Sequence, residues 1–136
     1  MGASLAHHQL PVSAGANVGV GWIGWGPPSD GDPMTYSFGY ALLPAFWNRG
    51  YMTEAVGGML QWAFEYAQRT GVAGECSASN GASRRVMEKA GLRLVAQWVE
   101  QDDVTSEPLL HLRFAIAQQE WQAAQRPSVL QGDSHG

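Results

Sequence analysis

The sequence predicts a single α/β domain. Short apolar segments of strand length alternate along the chain with two segments of helical periodicity, which is typical of this class. The 136 residues are 45% hydrophobic and 15% charged, so we expect one hydrophobic core and no general disorder. We place the domain in residues 1–121 and expect residues 122–136 to form a polar, disordered tail.

Six segments have the composition and length of β-strands. They cover residues 4–12, 18–25, 35–43, 72–78, 93–100 and 109–117. The second and third strands flank a loop rich in Gly and Pro, and the last two flank an acidic polar loop. Each of these two pairs is therefore predicted to form an antiparallel hairpin.

Two helices are predicted between the hairpins. The first covers residues 53–70, carries one apolar face and is expected to end at Gly71. Gly57 and Gly58 inside it each cost about 1 kcal/mol relative to Ala. That cost indicates either a close approach to a strand or simple tolerance. The second helix is predicted to begin after an Asn80 cap and to end at Gly91.

Composition and charge exclude several classes of protein. A formal charge of −4 argues against a general nucleic-acid binder, and no apolar run approaches the roughly 20 residues that span a bilayer. The first eight residues lack the charged start and apolar centre of a signal peptide. A single cysteine, Cys76, excludes an internal disulfide and fits a reducing compartment. We expect a soluble cytoplasmic protein.

One stretch has the form of an anion site. An apolar strand ends at Leu43, a turn containing Asn48 and Gly50 follows, and a helix opens at Thr53. The free N–H groups and the dipole of a helix N-terminus favour a bound phosphate there. Strand–turn–helix units with one glycine also occur for turn geometry alone, so this stretch is weak evidence when taken by itself.

A second stretch strengthens this interpretation. Residues 80–92, NGASRRVMEKAGL, resemble the second signature of the GNAT acetyltransferase superfamily. Residues 38–55 are similar to its first signature, in the form found in the branch of ribosomal-protein-alanine N-acetyltransferases. The two stretches stand in the expected order and separation, and the resemblance covers about residues 18–121. It implies the GNAT acyltransferase fold, a mostly antiparallel twisted sheet flanked by helices.

The resemblance also implies an activity. Members transfer the acetyl group of acetyl-CoA to a primary amine by direct attack, with no metal cofactor. The acceptor implied is a protein N-terminus, an aminoglycoside-like amine or a small metabolite, and the acidic balance of the chain slightly favours a cationic acceptor. The alternatives are a non-catalytic CoA-binding or interaction module and, less favoured, a defunct fragment that binds nothing. Turnover distinguishes these alternatives, because an enzyme releases CoA when it is offered an amine, whereas a module binds without release.

Site residues are carried over from the two signatures and from the strand that follows the second. Ser83 would protonate the departing thiolate, and Glu100 would serve as the general base. A backbone N–H near Leu42 or Leu43 would hold the acetyl carbonyl, and Arg84 or Arg85 would reach the ribose phosphate of CoA. The residues implied to bind acetyl-CoA are Tyr40, Leu42, Leu43, Trp47, Asn48, Arg49, Gly50, Tyr51, Met52, Thr53, Asn80, Ser83 and Arg84.

The sequence departs from the family pattern at two places. Met52 stands where the family prefers Gly or Ala, and its bulk is expected to narrow the pyrophosphate seat. The usual N-terminal strand and two helices, which form one wall of the acceptor pocket, have no counterpart ahead of residue 18. We expect a truncated sequence, a compact member with an open acceptor site, or a wall supplied by a partner chain. Exposed apolar surface at that place would favour a homodimer.

Overall fold

The computed structural model describes residues 8–13, 19–28, 32, 34–47 and 49–125. Within them, six strands form one sheet and three α-helices accompany it. The strands are β1 (His8–Ser13), β2 (Gly19–Gly26), β3 (Thr35–Leu42), β4 (Gly71–Ser77), β5 (Arg93–Gln101) and β6 (Pro108–Ala117). The helices are α1 (Tyr51–Gln61), α2 (Gly81–Lys89) and α3 (Gln118–Gln125), with a 3-10 turn at Pro44–Phe46 and a π-helical turn at Trp62–Tyr66. The predicted α/β class is confirmed.

The sheet has the order β1-β2-β3-β4-β6-β5 and is mostly antiparallel. Both predicted hairpins are present, as β2–β3 and β5–β6. β3 and β4 form the parallel pair, and their register runs only from Thr35 opposite Gly71 to Phe38 opposite Gly74. Beyond that point β3 continues to Leu42 without β4, so the two central strands part.

The last paired residues of β3 and β4 are in close contact. A Cβ atom added to Gly74 would lie 2.6 Å from the Phe38 ring, which is closer than real Cβ contacts come. Glycine at this position therefore lets the aromatic ring lie directly over the neighbouring strand. The ring fills the space at the point where the strands separate.

The hydrophobic core lies between the sheet and the helices. α1 and the turn after it bury Met52, Val56, Met59, Leu60, Ala63 and Phe64, and α2 buries Met87. These side chains pack with alternate residues of the strands, such as Val72 and Phe114. Their neighbours in sequence, such as Glu75 and Arg113, point to the opposite face of the sheet and are exposed.

The first helix differs at both ends from its prediction over residues 53–70. It begins at Tyr51, because Gly50 has a left-handed backbone (φ 84°) and turns the chain directly into the helix. It changes to a π-helical turn at Trp62, and Gln68 (φ 54°) then reverses the chain. Gly71 is consequently the first residue of β4 and not the cap of the helix.

The second helix follows its prediction. The Asn80 side chain accepts a hydrogen bond from the Ser83 N–H at 3.0 Å, and Gly91 ends the helix with a φ of 100°. α3 covers residues 118–125 and thus includes the first residues of the predicted tail. The rest of that tail, residues 126–136, and the predicted strand residues ahead of His8 lie outside the described residues. None of the described helices is long and apolar enough to cross a bilayer.

The two glycines inside α1 have no close neighbour that would explain them. No atom lies within 4 Å of a Cβ added at Gly57 or Gly58, and both residues are exposed. The predicted close approach to a strand is therefore wrong within this part of the chain.

We expect Gly57→Ala and Gly58→Ala each to raise the free energy of unfolding by about 0.5–1 kcal/mol, because Ala loses less backbone entropy in a helix.

Gly74→Ala should lower the free energy of unfolding by about 1–3 kcal/mol, because the added Cβ overlaps the Phe38 ring. Urea denaturation followed by circular dichroism measures all three. Destabilisation by the α1 substitutions would show that another surface packs closely on these glycines.

Candidate active site

A cavity of about 260 Å³ lies at the opening between β3 and β4. The end of β3, the turn after it, the first turn of α1 and one face of α2 surround it. Its lining residues are Tyr40, Ala41, Leu42, Phe46, Trp47, Gly50, Met52, Thr53, Asn80, Ala82, Ser83, Arg85, Val86 and Lys89. The N-termini of two helices thus face one cavity, which gives it a positive potential and backbone N–H donors.

The hydroxyl group of Tyr40 joins the two sides of the cavity. It donates a hydrogen bond from β3 to Ser83 Oγ in α2, at 2.9 Å. Burial raises the pKa of Tyr40, although the hydrogen bond to Ser83 acts in the opposite direction. The phenol therefore keeps its proton at neutral pH and remains a donor.

The backbone of β3 presents alternate peptide groups to the cavity. The Leu43 N–H donates to the Val20 carbonyl at 2.8 Å and so points toward β2, away from the opening. Since successive N–H groups of a strand point in opposite directions, the Leu42 N–H points toward the opening. The Leu42 carbonyl accepts a hydrogen bond from the Trp47 indole N–H at 2.8 Å. Of the two predicted carbonyl donors, Leu42 is the one oriented toward the cavity.

Of the two arginines that the resemblance offers for the ribose phosphate, one lines the cavity. Arg85 and Lys89 line the cavity, whereas Arg84 does not. Arg85 reaches back along the helix, because its Nη1 lies 3.4 Å from the Cβ position of Gly81. The signal was present in the sequence: residues 82, 85, 86 and 89 fall at the helical spacing that defines one face.

The structure brings together eight of the predicted site residues. Those that line the cavity are Tyr40, Leu42, Trp47, Gly50, Met52, Thr53, Asn80 and Ser83. Arg49 instead lies over the Phe46 ring, with its Cζ 5.7 Å from the ring centroid, and Tyr51 lines a second cavity beside β1. Leu43, Arg84 and Glu100 are also outside the lining. The prediction for Asn48 lies outside the described residues.

Met52 serves the core as well as the cavity wall. It is only 2% exposed and belongs to the main cluster of buried residues. Its side chain anchors the first turn of α1 to the core, which accounts for a large residue at a position where a small one was expected. The first turn of α1 is thereby packed against the core beside the cavity.

Glu100 lies near the end of β5, on the exposed face of the sheet. Its Oε1 accepts a hydrogen bond from the Trp98 indole N–H at 2.7 Å. The Trp98 ring stacks on His111 with the ring centroids 5.8 Å apart. β6 lies between β5 and β4, so Glu100 is separated from the opening by one strand. These contacts hold the carboxylate in a defined orientation on the face opposite the helices.

Cys76 lies on β4 and packs against the core. Burial raises the pKa of its thiol, an effect that the nearby Arg84 guanidinium partly offsets. A thiol that stays protonated is a poor nucleophile, so Cys76 has the properties of a packed strand residue. In the described part of the chain, no three His, Cys, Asp or Glu side chains are grouped as metal ligands.

Comparison with known proteins identifies a family for this arrangement. Residues 5–93 match the acetyltransferase (GNAT) domain family. The chain is 33% identical over 119 residues to the FsC-acetyl coenzyme A-N(2)-transacetylase of Aspergillus fumigatus. The aligned region covers 81% of this chain and 50% of that protein. This chain therefore spans half the length of that relative.

Solved structures share the fold. A GNAT-family acetyltransferase from Bacillus anthracis superposes with a TM-score of 0.72 at 28% identity, covering 82% of this chain and 66% of that one. YncA from Salmonella typhimurium, solved with its cofactor acetyl-CoA, has a TM-score of 0.67 at 16% identity, covering 75% of this chain and 60% of that one. The second likeness concerns the fold alone.

We expect Asn80→Ala to lower the free energy of unfolding by about 1 kcal/mol, because the first turn of α2 loses its cap. Asn80→Ser keeps a capping oxygen and should stay within a few tenths of a kcal/mol of the unaltered protein. Thermal unfolding of the two variants, measured side by side, tests this. Equal losses would mean that the cap contributes nothing to stability.

Proposed function

This chain belongs to the GNAT acetyltransferase family, and from that premise we propose that it transfers the acetyl group of acetyl-CoA to a primary amine by direct attack. The observation that carries the proposal is the opening between β3 and β4, where two helix N-termini and two cations meet. We propose as acceptor a protein N-terminus, as in the ribosomal-protein-alanine branch, or a small amine.

The chemistry of the lining residues fits acetyl-CoA. The pyrophosphate is an anion, and it would lie against the first turn of α1 after Gly50, whose Cβ position has no atom within 4 Å. The extended pantetheine arm carries amides, and residues 39–42 of β3 have lost their β4 neighbour. Arg85 and Lys89 would meet the remaining phosphates. When bound, acetyl-CoA supplies a thioester that is already activated for acyl transfer.

Two groups of the chain would then act on the reacting atoms, and a third would bind the pantetheine arm. The Leu42 N–H points into the opening and would bind the oxygen on which negative charge develops. Ser83 Oγ–H would give its proton to the departing sulfur. Asn80 uses its Oδ1 as the helix cap, so only its amide N–H donors are left for the pantetheine arm. No covalent intermediate on the protein is needed.

The amine is proposed to arrive from the other face of the sheet. α1 and α2 cover one face, and the cavity proposed for the cofactor lies between the first turn of α1 and one face of α2. The uncovered face carries Glu75, His111 and Glu100, since cross-strand partners share a face. Glu100, oriented by Trp98, is the carboxylate that we propose takes the proton of the amine, directly or through water.

Two features of the whole protein are part of the proposal. We infer a cytoplasmic protein, which the single free cysteine supports. We also infer a homodimer, which is supported by large exposed apolar side chains on β5 and β6: Leu94, Val95, Val99 and Leu110. Light scattering of the purified chain measures the second inference directly.

The first test is calorimetric titration of acetyl-CoA into the purified chain, followed by an assay of CoA release with amines. We expect one-to-one binding at micromolar strength, which is about −8 kcal/mol, and release of CoA that requires the amine. The amines are a peptide with a free N-terminus, a linear polyamine and an aminoglycoside. Binding without release would favour the non-catalytic module, and absence of binding would overturn both functions.

The cations give a test of how the cofactor is held. Arg85→Ala and Lys89→Ala should each weaken acetyl-CoA binding about threefold to tenfold and reduce its salt dependence, because each removes a phosphate contact. Arg93→Ala is the matched control, since Arg93 pairs with Glu120 beyond the cavity. Asn80→Ser, which keeps the cap, should weaken binding as well. Equal effects of Arg93→Ala would refute a specific phosphate role.

Glu100→Gln tests the proposed base. The amide oxygen can still accept the Trp98 hydrogen bond, so the side chain keeps its place while it loses the ability to take a proton. We expect kcat to fall about 100-fold with acetyl-CoA affinity unchanged. Glu107→Gln, on the same hairpin, is the control. An unaltered kcat would remove Glu100 as the base.

A further inference from the structure

Ser83 is held from two directions. Its N–H donates to Asn80 Oδ1 at 3.0 Å, and its Oγ accepts the hydroxyl proton of Tyr40 at 2.9 Å. The same phenol oxygen lies 3.4 Å from the Ser83 carbonyl oxygen. The first contact fixes the backbone at the start of α2, and the second fixes the side-chain oxygen.

Tyr40 is itself held in place. Its ring stacks on Phe38 with the ring centroids 6.2 Å apart, and it packs against the hydrophobic core. Phe38 in turn lies over Gly74, at the last pair of β3 and β4. A contiguous series of packed groups therefore runs from the parting of the strands to the Ser83 oxygen.

The direction of the hydrogen bond decides what Ser83 can do. A serine oxygen carries one proton and two lone pairs. When Tyr40 donates to one lone pair, the serine proton is left to point elsewhere, and both residues line the same cavity. Burial raises the pKa of the phenol, so Tyr40 keeps the proton that this hydrogen bond requires.

We propose that Tyr40 is a positioning residue for acetyl transfer, which acts by orienting the Ser83 Oγ–H toward the departing sulfur. This inference rests on the function proposed above. In the step, the amine nitrogen bonds to the acetyl carbon, and the carbon–sulfur bond breaks with its electron pair going to sulfur. Ser83 Oγ gives its proton to sulfur, and Tyr40 keeps its phenol proton throughout. The proton lost by the amine nitrogen passes to Glu100 and is returned to Ser83 Oγ through solvent.

The test is a double-mutant cycle with Tyr40→Phe, Ser83→Ala and the combined variant. Each is measured for kcat, KM and calorimetric affinity for acetyl-CoA. Removing one hydrogen bond that matters only in the reaction should lower kcat about tenfold in Tyr40→Phe, with affinity within twofold of the unaltered chain. Ser83→Ala should lower kcat about 100-fold. Since Tyr40 acts through Ser83, the combined variant should match Ser83→Ala within twofold.

Controls separate this role from a structural one. Tyr66→Phe removes a hydroxyl from a residue that is 79% exposed and should leave kcat unchanged. A purely structural Tyr40 would shift the melting temperature and the affinity together with kcat. The inference would be overturned if the two losses of kcat multiplied in the combined variant, or if Tyr40→Phe lost no kcat. The proposed acetyl transfer would stand in either case. Absence of turnover by the unaltered chain would overturn both.

Discussion

The fold and the site both depend on the point where β3 and β4 part. The parallel ladder stops at Phe38 and Gly74, whose close contact only a glycine permits. Beyond it, backbone N–H and C=O groups of β3 have no β4 partner and need another. The Trp47 indole N–H donates to one of them, the Leu42 carbonyl. The Tyr40 side chain spans the gap between β3 and α2 by its hydrogen bond to Ser83. An extended ligand with amide groups is the natural partner for the rest.

The two helices give this gap the features of a candidate anion site. α1 opens directly after Gly50, and α2 opens after the Asn80 cap, so both first turns face the same cavity. The helix dipoles and the side chains of Arg85 and Lys89 make the cavity positive, although the formal charge of the whole chain is −4. The local charge of the cavity is therefore opposite in sign to the net charge of the chain.

Much of this arrangement could be predicted from the sequence, because local patterns specify it. The strands, the hairpins, the Asn80 cap and the cluster of residues at the opening follow from periodicity, capping and the two signatures. The end of α1 could not be predicted, since a π-helical turn leaves no break in an apolar pattern. The Tyr40–Ser83 contact joins residues 43 positions apart and depends on how far the strands diverge, which no local pattern records.

Several residues have a structural role and also line the candidate site. Structural patterns in the sequence therefore also indicate residues of the site. Asn80 caps α2 and lines the cavity with the rest of its amide, and Met52 anchors α1 while forming part of the cavity wall. A change at such a residue alters stability and binding together. A substitution at such a residue that weakens binding identifies a ligand contact only when it is compared with a second substitution that preserves the structural role. Arg85 and Lys89 are exposed on α2, so substitutions there leave the hydrophobic core intact.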